Sequence, residues 1–199
     1  MTSTATQGSG IGLTEGAVAR AIYFFHDSTT TLPVRDMTTR DKLEPHIEFG
    51  HDRGLNDGVV IGAENFCNKC YQRAVKRLLR DDEEYLFLVT YPKHPDIEPK
   101  ANQIVGYIRN QEQRRIDEGH LAVIGEMKLY EFNDAVPASE FGKRPSGPLG
   151  KWGETYTEDQ TEEIVTHFEG CSDVTDECLR KTLELKESDG SISGSDCGC

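Results

Sequence analysis

Y-L-F-L-V-T-Y (85–91), Q-I-V-G-Y-I-R (103–109) and H-L-A-V-I-G-E-M-K-L-Y-E-F (120–132) are the three runs whose reading decides the fold. Each is short, rich in β-branched and aromatic residues, and bounded by turn formers or charged residues, the pattern of strands buried on one or both faces. Three or four neighbouring strands follow from this, and no catalytic signature sits inside them. A-V-A-R-A-I-Y-F-F (17–25) reads as a further buried strand, with a helix as the alternative. V-V-I (59–61) is a short apolar segment.

Ala63 to Arg80 has helical periodicity. At 100° per residue, Cys67, Tyr71, Ala74 and Leu78 share one face while Lys69, Arg73, Lys76, Arg77 and Arg80 gather on the other. Thr157 is a good N-cap for a helix running to Phe168, and Asp173 to Glu187 is another helix, with Val174, Cys178, Leu179, Leu183 and Leu185 as its apolar set. Asn133 to Gly153, with three prolines and four glycines, is mostly loop, with room for a helical turn in Asp134 to Phe141. His26 to Gly58 reads as loop with at most a helical turn at Thr39 to Leu43.

These elements predict an α+β fold: a single domain over residues 17–187, with a mixed or mainly antiparallel sheet covered by two or three helices. Residues 1–16 read as a disordered leader, and 188–199 as a flexible tail that ends in C-G-C. A chain of 199 residues is long enough for one well-buried domain. No apolar run approaches the roughly 20 residues that cross a bilayer, and residues 1–10 lack the regions of a signal peptide. The expectation is a soluble cytoplasmic protein with no membrane partner.

The net charge of −13 is unevenly placed. Residues 154–199 carry 13 acidic and three basic side chains, so −10 belongs to the C-terminal quarter and −3 to the rest. Such an acidic end repels nucleic acid, occupies a basic site on its own domain or captures a protein partner.

Six cysteines without an export signal point away from a secreted disulfide framework. Cys67 and Cys70 lie one turn apart at the start of the basic helix, after V-V-I-G, a string similar to the active-site segment of thioredoxin-like proteins over about 20 residues. Helix N-terminal amides favour a thiolate there. The later proline which such a domain packs against its thiols has no counterpart, since Pro92 follows a strand and Pro137 precedes a loop. The same pair would serve as half of a zinc site, with Cys197 and Cys199 as the second half at tighter spacing. The third reading is two small buried hydrophobes.

His46, Glu48, His51 and Asp52 crowd into one loop-like segment, as metal ligands, an acid–base pair or a solvated loop. His26 ends a strand, a position that often faces a site. No Ser/His/Asp order, phosphate-binding glycine loop or dinucleotide fingerprint is present.

The basic helix face would neutralise phosphates or is simply a solvated face, and Tyr91, Tyr107, Tyr130 and Trp152 offer aromatic faces for unpaired or flipped bases, with core packing as the alternative for aromatics on strands. The order of elements, a helix leading into Y-L-F-L-V-T-Y, then I-V-G-Y-I-R, H-L-A-V-I-G-E-M-K-L-Y-E-F, a Pro-rich loop with K-W-G and the helix T-E-D-Q-T-E-E-I-V-T-H-F, resembles the small β-barrels of the PUA-like group, which includes the EVE, ASCH and YTH-type domains. The resemblance spans about residues 60 to 170. It implies binding of RNA, or of modified bases in DNA or RNA, in an aromatic pocket with a basic rim: Trp152 then Tyr107 as pocket walls, and Lys69, Arg73, Lys76 and Arg80 on phosphates. The leading expectation is a non-catalytic nucleic-acid or modified-base binding module. The alternatives are a thiol-redox or zinc-binding protein using Cys67 and Cys70, and an interaction protein acting through its acidic C-terminal part.

Overall fold

The computed structural model of the chain describes residues 17–36, 46–49, 59–62, 84–115, 120–147, 149 and 154–188. The basic helix expected over 63–80, including Cys67, Lys69, Cys70, Arg73, Lys76 and Arg80, lies outside the described residues, as do Trp152, Cys197 and Cys199.

The described chain is an α+β unit built on one mixed sheet. Its strands are β1 (Ala17–Phe25), β2 (His46–Phe49), β3 (Val59–Gly62), β4 (Tyr85–Tyr91), β5 (Gln103–Arg115), β6 (His120–Leu129), β7 (Val136–Pro137) and β8 (Glu154–Thr157). They run in the order β2-β3-β6-β5-β4-β1-β8, with β7 alongside β5. β1 and β4 pair in parallel, Ala21 opposite Phe87, and the other pairings are antiparallel.

β4 reads as a continuous apolar run because the sheet is covered on both faces. Leu86 and Leu88 point into one cluster with Ile22, Phe24, Val105, Ile108, Met127 and Leu129. Phe87 and Val89 point into the other with Ala19, Ala21, Ile104, Tyr107 and Tyr156. Helix α1 (Glu158–Glu169) covers this second face through Ile164 and Phe168, and α2 (Thr175–Ser188) covers the first through Cys178, with Val174 just before it. Thr157 caps α1 as its sequence implies: its hydroxyl accepts from the Gln160 N–H and the Gln160 side chain accepts from the Thr157 N–H, a capping box. Asp173 starts α2 by accepting from the Thr175 N–H at 2.9 Å, and the Thr175 hydroxyl in turn accepts from the Leu129 N–H at 2.8 Å, which ties the helix to the end of β6.

Two segments differ from the sequence reading. His46–Phe49 is a strand rather than loop, paired residue for residue with β3; four residues between turn formers carry too short a pattern to announce themselves. β5 continues through the charged segment to Arg115, paired with β6 across a register shift between Arg109 and Glu112. A strand held by its neighbour's hydrogen bonds tolerates polar side chains that intrinsic preference would assign to a turn.

A bulge in β5 sets which residues face which side. Leu88 pairs with Gly106 and Val89 with Ile104, so Val105 is the extra residue. Simple alternation would place Ile104 with Ile108; the bulge instead places Ile104 with Tyr107, and Val105 with Ile108. Gly106 makes this possible by close approach: a Cβ there would lie 2.0 Å from the Lys128 carbonyl oxygen and 3.0 Å from the Leu129 Cα, both backbone atoms. Gly106→Ala is therefore expected to destabilise the fold by about 3 kcal/mol or more, since β5 and β6 must part to admit the methyl group. A wild-type midpoint in urea unfolding would show that the two strands do not pack this closely.

Candidate functional site beneath the 138–149 loop

Asn102 immediately precedes β5 and is fully buried. Its backbone N–H donates to the Pro145 carbonyl at 2.7 Å and its own carbonyl accepts from the Ala138 N–H at 2.9 Å. Its side-chain Nδ2 donates to the carbonyls of Arg144 at 3.0 Å and Gly147 at 2.8 Å. Three of these hydrogen bonds hold the loop that follows the 3₁₀ turn Ala138–Phe141, and the fourth holds the first residue of the turn. Two carbonyl acceptors on Nδ2 fix the orientation of the amide. Its Oδ1 is consequently a buried acceptor, and it has no partner among the described residues.

Strand β8 supplies two more polar groups. Tyr156 pairs with Ala19 and Glu154 with Ala21, and both alanines belong to the cluster under α1. Residues two apart on a strand share a face, which sets the Glu154 carboxylate beside Tyr156 on the Asn102 side. Glu154 Oε1 accepts from the Arg144 N–H at 3.0 Å, so Asn102 and Glu154 grip the two backbone polar groups of one loop residue. Glu154 Oε2 and the Tyr156 hydroxyl are buried, again without a partner among the described residues. The Tyr156 ring meets Phe87 edge to face at 5.0 Å, and the Lys143 ammonium lies 4.8 Å from its centroid while donating to the Thr155 carbonyl at 2.7 Å. Burial, then the Glu154 carboxylate, pushes the phenol's pKa well above its ordinary value, so it remains a neutral hydroxyl.

One sheet face therefore carries an amide oxygen, a carboxylate oxygen and a hydroxyl, each withdrawn from water and without a partner among the described residues. An unmet buried polar atom costs about 1–3 kcal/mol, and native chains keep few of them. Gln103 Oε1 is a fourth such atom, but alternation along the strand sends it towards the opposite face, where Gln103 Nε2 donates to the Pro99 carbonyl at 2.9 Å.

Of the residues singled out from sequence, Tyr107 is described and is 3 % exposed. It lies under α1 among Tyr85 at 5.6 Å, Tyr130 at 6.2 Å and Phe168 at 6.3 Å, with Tyr130 stacked on Phe168 at 4.3 Å. Trp152 lies outside the described residues and stands two positions before Glu154 in the chain. Asn102, Glu154 and Tyr156 were not singled out. Their one sequence signal is E-T-Y at alternating positions directly after K-W-G, and A-N-Q carries none.

Cys178 is buried, and its thiol is pushed up to about 12 by burial and then by Glu177, Asp173 and Glu131. Cys171 donates to the His167 carbonyl at 3.3 Å, and its thiol is also raised, by burial and Asp134. Both are thiols rather than thiolates at neutral pH. Among the described residues no group of three His, Cys, Asp or Glu side chains is placed to hold a metal ion, and no helix is long and apolar enough to cross a membrane.

His26 is structural. It is fully buried, its Nδ1 accepts from the Lys93 N–H at 3.0 Å, and this acceptor role leaves Nε2–H to donate to the Leu32 carbonyl at 2.8 Å. Its ring meets Phe132 edge to face at 4.8 Å. Both nitrogens are thus spent on backbone, closing the turn after β1 that Asp27 and Thr30 also organise through the Thr29 and Leu32 N–H groups.

Comparison with known proteins gave no match to a family model and no significant similarity to a curated protein or a solved structure.

Burial lowers the His26 pKa from 6.5 to about 4, outweighing the raising effects of the Leu32 carbonyl and Asp27. The folded state thus binds this proton less readily than the unfolded chain. The stability contributed by neutral His26 is complete above about pH 6.5 and is lost as pH falls towards about 4, by up to about 1.4 kcal/mol per pH unit. His26→Gln retains one donor and one acceptor and does not titrate. Its urea midpoint should lack this part of the wild-type decline between pH 6.5 and 4; parallel pH profiles would show that His26 does not contribute.

Proposed function

We propose that this protein is a non-catalytic module that binds nucleic acid or a modified base, with the base held beside Asn102, Glu154 and Tyr156. The observation supporting this reading is the set of three buried hydrogen-bonding atoms on one face of the sheet that have no partner among the described residues. Sites that read a base edge need polar atoms fixed in direction, shielded from water and unused by the protein itself. Asn102 and Glu154 meet the requirement because their other polar atoms are anchored to the loop backbone. The resemblance to the PUA-like group points the same way. In this reading Trp152 stacks on the base, and Lys69, Arg73, Lys76 and Arg80 neutralise phosphates of an attached strand.

Trp152 is the single tryptophan of the chain, so its fluorescence reports on the site. Titration with nucleosides and short single-stranded RNA and DNA should quench it. Tyr156→Phe, which removes only the hydroxyl, should weaken binding roughly tenfold. Arg73→Glu combined with Lys76→Glu should weaken oligonucleotide binding and flatten its salt dependence, leaving nucleoside affinity unchanged. Absence of binding by both nucleosides and oligonucleotides would overturn the proposal.

A further inference from the structure

We infer that the base taken by this site is guanine, recognised through its donor-rich edge; the inference rests on the base-binding reading above. Asn102 has spent both Nδ2 hydrogens on the Arg144 and Gly147 carbonyls, so towards the site its amide can only accept. The Glu154 carboxylate is held at Oε1 by the Arg144 N–H and offers the acceptor Oε2. The Tyr156 hydroxyl is the one group that can donate as well as accept. The roles left over among these residues are thus two acceptors and one hydroxyl that can donate.

A complementary ligand edge has at least two N–H donors beside one acceptor. Guanine carries this pattern in one plane: the ring N1–H and the exocyclic N2 amine donate, and O6 accepts. Uracil and thymine place one donor between two acceptors, which would leave one buried acceptor of the protein facing another. Cytosine and adenine each offer a single amine, with ring acceptors next to it. Lys143, whose ammonium lies over the Tyr156 ring, adds positive charge near this group. An analogue lacking a donor leaves a buried acceptor unpaired, which is how polar sites discriminate steeply between ligands of nearly equal shape.

Isothermal titration calorimetry of the full chain with guanosine, inosine, adenosine, cytidine and uridine tests this. Guanosine should bind tightest. Inosine, which is guanosine without the N2 amine, should bind at least about tenfold more weakly, and uridine more weakly than guanosine. Glu154→Gln replaces one carboxylate oxygen with a donor while leaving an oxygen for the Arg144 N–H, so it should collapse the guanosine-over-inosine preference. Its thermal melt should match the wild type; if it does not fold, Tyr156→Phe provides the second variant, expected to weaken guanosine binding. Equal binding of guanosine and inosine, or tighter binding of another nucleoside that Tyr156→Phe still weakens, would overturn the guanine assignment and leave the base-binding reading standing. Failure of every nucleoside and oligonucleotide, or calcium or manganese binding that Glu154→Gln abolishes in its place, would overturn both, because three oxygen ligands would then form a hard-cation site.

Discussion

The close approach of Gly106 to the Lys128 carbonyl is the contact on which the rest of this structure depends. It admits one extra residue into β5 at the middle of the sheet, and a one-residue change in a period-two strand reverses the faces of the residues beyond it. The bulge is what lets Asn102 and Ile104 share a face with Tyr107 while Val105 and Ile108 share the other. Both apolar clusters are filled by β5 on these terms. A side chain at position 106 would compete with backbone, which cannot yield without parting the central strands.

His26 follows β1, whose Phe25 lies beside Tyr91, and Asn102 precedes β5, whose Gln103 lies beside Thr90, so two buried polar residues at the same end of the sheet are treated in opposite ways. His26 is withdrawn from water but satisfied at both nitrogens, so its burial costs little while it stays neutral and its chemistry is exhausted by the turn it closes. Asn102 is just as buried and spends its donors in the same structural manner, yet its acceptor is left over. Glu154 repeats the arrangement, one oxygen structural and the other unused. Half-satisfied polar groups are the costly kind. Three on one face, anchored by a common loop, make a more specific marker of a binding site than any of the sequence motifs.

The described part of the acidic C-terminal quarter, residues 154–188, has a definite place in the fold. Glu158, Asp159, Glu162, Glu163 and Glu169 are exposed on α1, and Asp176, Glu177 and Glu184 on α2, so negative charge coats the outside of both covering layers. Glu158 and Asp159 in the first turn of α1, and Asp176 and Glu177 in that of α2, also suit the helix dipoles. Arg180 and Lys181 recover part of the charge by pairing with Glu184. A helix coated in this way does not favour a phosphate backbone lying along it, which suits the proposed binding of a base from the loop side better than wrapping of a long strand.

The sequence by itself determined the class of fold and most of its elements, because those depend on local pattern: the runs at 85–91 and 103–109 are strands, Thr157 caps a helix that reaches Phe168, and Cys178 lies on the apolar side of the last one, while 17–25 reads as a strand with a helix as the alternative. These features follow from period, capping chemistry and β-branched content, all properties of a few adjacent residues. Only the tertiary structure decided that β1 lies parallel to β4, that His46–Phe49 joins the sheet, that β5 runs on through charged residues, and that Tyr107 lies inside under α1. Pairing partners and bulges are set by residues far apart in the chain. The candidate site was illegible for the same reason: what marks Asn102, Glu154 and Tyr156 is the state of their hydrogen bonds after the loop has closed over them, and an unpaired atom has no representation in a sequence.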